Sequence, residues 1–134
     1  MVTATHPVSA GTMTVWAGRL MTSFVGLFLL FDCVIKLLEL APAVQATTQL
    51  GYSADVIFGI GVLQLVCLAA FAFPRTALLG AILLTGYLGG AVATHVRAGS
   101  GIFSLVFPIM MGALIWGGLL LRDHPLRAHM LPLR

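Results

Sequence analysis

Four apolar stretches, at about residues 16–40, 54–73, 76–94 and 102–121, limit what this chain can fold into. Each reaches or nearly reaches the roughly 20 residues a helix needs to cross a bilayer core. Hydrocarbon offers the backbone no hydrogen-bond partners, so a spanning segment must bond within itself, as a helix does. A soluble core is excluded by the coat it would need. Only 8% of the residues are charged, against roughly 25% in a soluble domain, and mean hydropathy is +1.07.

The links between the stretches are short. Residues 41–53 (APAVQATTQLGYS) carry Pro, Gly and Thr and read as a loop. Phe73-Pro74-Arg75 reads as a tight turn, with Pro74 ending the second helix. Residues 96–101 form another turn. The expected fold is all-α, a membrane-spanning up-down-up-down four-helix bundle. Its parts are a flexible N-terminal segment at 1–14, a four-helix transmembrane domain at 15–121, and a basic tail at 122–134 lying on the membrane surface. Arg19 before an apolar run and Ala41-Pro42-Ala43 after it imitate a signal peptide. The charges between them argue against cleavage.

Orientation follows the basic residues. Arg19, Arg75, Arg122, Arg127 and Arg134 share one side, and Lys36 and Arg97 the other. Five against two places both termini in the cytoplasm, with Trp16 and Trp116 at the cytoplasmic interface. The scattered basic residues exclude a nucleic-acid surface. Membrane lipid is the expected surrounding.

Inside the first stretch stand Asp32, Lys36 and Glu39, spaced i, i+4, i+7 and so on one helical face. Charge within a span is costly and marks either a structural ion ladder or a proton or ligand site. His95 and Arg97 end the third helix and Asp55 begins the second, all in the same outer half. The six form a candidate ligand-binding polar cluster. Asp32 and Lys36 are expected to pair inside the bundle, with Arg97 or His95 approaching a carboxylate.

Gln64 and Tyr87 lie near the middle of their spans. Each needs a hydrogen-bond partner, which could be the other residue or a ligand carbonyl. Satisfaction by protein alone would remove the best midplane contact for a quinone. Cys33 and Cys67 lie in apolar runs at different depths, offset by about 9 Å on helices rising 1.5 Å per residue. They are expected to remain free thiols. There is no CxxC, no HxxxH, no CxxCH and no phosphate-binding glycine loop, and no metal is expected. Gly86 and Gly90 form a GxxxG pair continued by Ala93, alongside Gly80, Gly89, Gly112, Gly117 and Gly118. Packing inside the bundle is their first expected use and a homodimer face the second. Pro108 should kink the fourth helix.

The run from Pro74 to Arg97, PRTALLGAILLTGYLGGAVATHVR, resembles the DoxX-like family of small bacterial membrane proteins. The pieces at Phe31–Leu37, Leu50–Tyr52 and Trp116–Asp123 resemble it as well. The resemblance spans about residues 20–125 and implies a four-helix membrane bundle. The wider DoxX/DoxD group includes a subunit of a thiosulfate:quinone oxidoreductase, and its members are linked to membrane redox complexes. The resemblance therefore implies an accessory or quinone-proximal subunit in the inner membrane, with redox proteins as partners. It brings no catalytic residues with it. The residues themselves leave open a binding or transport protein using the polar cluster, and a purely structural subunit.

Overall fold

The computed structural model describes residues 10–130. All regular structure among them is helical. Helix α1 spans Ala10–Leu37, α2 Ala41–Gln49, α3 Ile57–Ala72, α4 Ala77–Arg97, α5 Ile102–Arg122 and α6 His124–Met130, with a 3-10 turn at Ala54–Val56 before α3. Four helical segments are long and apolar enough to cross a membrane: Gly11–Leu37, Ala54–Ala72, Ala77–Arg97 and Ile102–Arg122.

The spans form a ring in which α1 touches α3 and α5, and α4 touches the same two, while the diagonal pairs stay apart. The centre is filled by side chains including Val25, Leu29, Phe71, Leu84, Met111 and Ile115, all buried. Lipid is as apolar as these groups, so close packing rather than water exclusion holds such a ring together. The closest approaches are made at glycine. A Cβ on Gly80 would lie 2.1 Å from the backbone nitrogen of Phe71, and one on Gly18 2.8 Å from the carbonyl oxygen of Gly118. The pair Gly86 and Gly90 behaves otherwise. A Cβ on either meets nothing within 4 Å. They therefore do not serve packing between the spans of one chain.

Two local expectations are corrected. Residues 41–53 are not all loop, because α2 occupies Ala41–Gln49. Pro42 falls in its first turn, where the missing N–H has no helical partner to lose. Thr47 and Thr48 turn their hydroxyls back onto the carbonyls of Ala43 and Val44, so these loop-forming residues stay within the helix. Gly51, at φ 88, then stops it, with Gly51 N–H donating to Thr48 and Tyr52 N–H to Thr47.

The N-terminal boundary also moves. α1 begins at Ala10, so residues 10–14 are helical. The remainder of the segment set at 1–14 lies outside the described residues, as do residues 131–134 of the tail. The described part of that tail is α6, started by Asp123, whose Oδ1 accepts the N–H of Leu126 at 3.1 Å. α5 continues through Pro108.

Candidate functional site

Helix α1 brings Asp32 and Lys36 together because they stand one turn apart, and their side chains form an ion pair. Lys36 then reaches across the centre of the ring. Its Nζ donates to Gln64 Oε1 on α3 at 3.0 Å and to the Tyr87 hydroxyl on α4 at 3.0 Å. Gln64 Nε2 donates to Asp32 Oδ2 at 2.9 Å and to the carbonyl of Leu29 at 3.1 Å. Tyr87 donates its proton to Gln64 Oε1 at 2.9 Å. Residues read from sequence as an outer cluster and a separate midplane pair are thus one quartet on three helices.

The quartet uses every donor it has. The ammonium of Lys36 has three protons, the amide of Gln64 two and the phenol of Tyr87 one. Each is engaged within the protein. Gln64, with 0% exposure, also has both carbonyl lone pairs occupied. Spare capacity remains on the acceptor side. Asp32 Oδ1 has no partner among the described residues, while Oδ2 accepts two hydrogen bonds. Asp32 lines a cavity of about 290 Å³ between α1, α4 and α5, with Lys36, Tyr87 and His95 in the same wall and Phe103, Phe107 and Met111 opposite.

Four of the six residues in the expected cluster behave differently. Glu39 is not on the face of Asp32 and Lys36, because α1 ends at Leu37. At φ 49 it occupies the left-handed position that closes the helix, with Glu39 N–H donating to Lys36 and Leu40 N–H to Ile35. Its carboxylate makes no ion pair among the described residues. Glycine suits that backbone better, since the left-handed conformation costs an L-residue about 1–2 kcal/mol. Glu39→Gly is expected to raise stability by about 1 kcal/mol in thermal unfolding. A lowered melting temperature would reveal a contact by the carboxylate.

Asp55 sits exposed in the 3-10 turn, also without an ion pair among the described residues. His95 turns Nδ1 to Ser100 Oγ at 3.0 Å rather than to a carboxylate, although its ring lines the cavity beside Asp32. Arg97 donates to the carbonyl of Leu50 at 3.2 Å and stacks over Tyr52, 5.8 Å from the ring centre. Neither His95 nor Arg97 makes a salt bridge among the described residues. The turn after α2 supplies Arg97 with Leu50 and Tyr52, and the turn after α4 supplies His95 with Ser100, so both basic groups have neutral partners.

Two contacts escaped the sequence. Tyr52 meets Thr94 Oγ1 at 3.0 Å, tying the turn after α2 to α4. Trp116 Nε1 donates to Thr85 Oγ1 at 2.8 Å, joining α5 to α4. A lone hydroxyl in an apolar helix that needs a partner is the signal that could have flagged Thr85 and Thr94. It does not say which partner. Cys33 and Cys67 are free and buried, and the Cys33 thiol is 3.3 Å from the carbonyl of Gly61.

The sequence profile of the DoxX-like family matches residues 20–118. The chain belongs to the DoxX-like family. That match contains Asp32, Lys36, Gln64 and Tyr87, so the quartet lies wholly in the DoxX-like region. With four apolar spans it makes the chain a small multi-pass integral membrane protein. No curated protein and no solved structure matches the chain.

Proposed function

We propose that this DoxX-like protein is a proton-linked binding or transport protein of the inner membrane of a bacterium, with its site at Asp32 in the cavity between α1, α4 and α5. The observation that carries this reading is the donor count of the quartet. Every donor of the quartet is engaged, and Asp32, which lines the cavity, keeps a carboxylate oxygen without a partner among the described residues. Such a site takes a proton, or a small polar ligand that brings its own hydrogen-bond donors. The alternating direction of the spans is part of the proposal. It is supported by contacts that run in opposite sense, from Gly18 beside Gly118 to Phe28 beside Phe107. Both termini are placed in the cytoplasm on the distribution of arginines.

The redox-accessory role rests on the family alone. A quinone carbonyl is an acceptor, and binding one at Gln64 or Tyr87 would require an existing bond of the quartet to break. Redox partner proteins therefore take second place to a bound small molecule. A homo-oligomer through the open face at Gly86 and Gly90 is compatible with either role.

The test uses purified protein in vesicles that hold an internal pH dye. Wild-type protein is expected to equilibrate an imposed pH gradient faster than empty vesicles do. The D32N/K36M variant, which removes both charges together, is expected to stay folded and fall to the empty-vesicle rate. Equal rates for wild type and this variant would overturn the proposal. Native mass spectrometry retaining a quinone on the wild type would favour the redox-accessory role instead.

A further inference from the structure

A second and larger cavity, of about 450 Å³, lies on the other side of the Lys36–Tyr87 wall, between α3 and α4 and beneath α2. Along α4 it runs from Leu83 to Thr94, about 17 Å at 1.5 Å per residue. Away from α2 its lining is apolar, with Leu63, Cys67 and Leu83. Gly86 and Gly90 form its α4 wall, and both have open space where a Cβ would stand. The shape suits one unbranched hydrocarbon chain lying along the helix.

The outer mouth differs in charge from the first cavity. Lys36 and His95 line both, but no carboxylate lines this one, whereas Asp32 lines the first. Arg97 stands at the rim, held on Leu50 and Tyr52, which are themselves lining residues. One guanidinium N–H goes to the carbonyl of Leu50, and the group has five. The His95 ring gives Nδ1 to Ser100 and leaves Nε2. The first cavity therefore offers a spare carboxylate oxygen, and the rim of this one offers the guanidinium charge of Arg97 and the N–H groups that Leu50 leaves free.

We propose that this groove binds a long-chain fatty acid, with its chain along Gly86 and Gly90 and its carboxylate at Arg97 and His95. The shared chemistry is an anionic head on a single aliphatic chain in the groove. A phospholipid could present this too, by inserting one of its chains. The site does not depend on proton movement at Asp32.

Tritiated palmitate is the probe, added to protein purified in a neutral detergent. Saturable binding to the wild type is expected. Gly90→Leu fills the groove from a position where a Cβ meets nothing within 4 Å, and should leave the melting temperature unchanged or higher. It is expected to weaken palmitate binding about tenfold or more. Arg97→Gln is expected to weaken palmitate while leaving binding of the corresponding alcohol unchanged. Wild-type affinity in Gly90→Leu would overturn the site. Equal affinity of the wild type for the alcohol would overturn the role of the anionic head. Displacement of palmitate by an equal concentration of phosphatidylglycerol would assign the groove to a phospholipid chain and overturn the free acid.

Discussion

Replacing Lys36 with methionine is expected to destabilise the protein by roughly 3–5 kcal/mol, because it leaves the partly buried Asp32 carboxylate without its counter-charge. The same change removes a donor from Gln64 Oε1 and from the Tyr87 hydroxyl. Lys36, like Gln64, joins α1, α3 and α4, so its loss weakens the ring at its centre. The D32N/K36M double variant should recover much of the loss, since no unpaired charge remains. Midpoints of unfolding in sodium dodecyl sulfate titrations would compare the two. A single variant as stable as the double one would show that the pair contributes little and that solvent in the cavity already screens Asp32.

Changing Gly80 to alanine is expected to cost about 3 kcal/mol or more, the upper part of the range for overpacking. The new Cβ would stand 2.1 Å from the nitrogen and 2.3 Å from the Cα of Phe71, and backbone cannot rotate aside as a side chain can. α3 and α4 would have to separate near their connecting turn. The same change at Gly86 or Gly90, in the same helix, meets nothing and should stabilise by about 0.5–1 kcal/mol, because alanine orders a helix at less entropic cost than glycine. Thermal unfolding of the three variants in one detergent would decide. A Gly80→Ala protein with wild-type stability would mean that the approach of α3 to α4 is looser than the structure has it. Destabilisation by Gly86→Ala or Gly90→Ala would point to a second chain packed on that face.

Sequence and tertiary structure divide this protein according to the range of the interactions. Whatever depends on neighbours within one helical turn was legible in the residues. The four spans follow from apolar runs, and Pro74 ends α3 by holding Phe73 before it in an extended conformation. The ion pair of Asp32 with Lys36 follows from spacing of one turn within a single helix. Helix ends were less legible, because Glu39 falls outside α1 by two residues and so leaves the face its spacing assigned it. Pro42 and two threonines imitated a loop while α2 used them at its start and against its own carbonyls. The rest required the ring to close. Gln64 and Tyr87 lie 28 and 51 residues from Lys36 in the chain, and only the packing of α1 against α3, with α4 across the centre, turns them towards one ammonium. The same packing sets Gly80 against Phe71 and leaves Gly86 and Gly90 facing open space, although all three are glycines in one apolar helix. Helical spacing assigns residues to a face, but which face meets a neighbour depends on how each helix is rotated about its axis, and contacts with the other helices decide that.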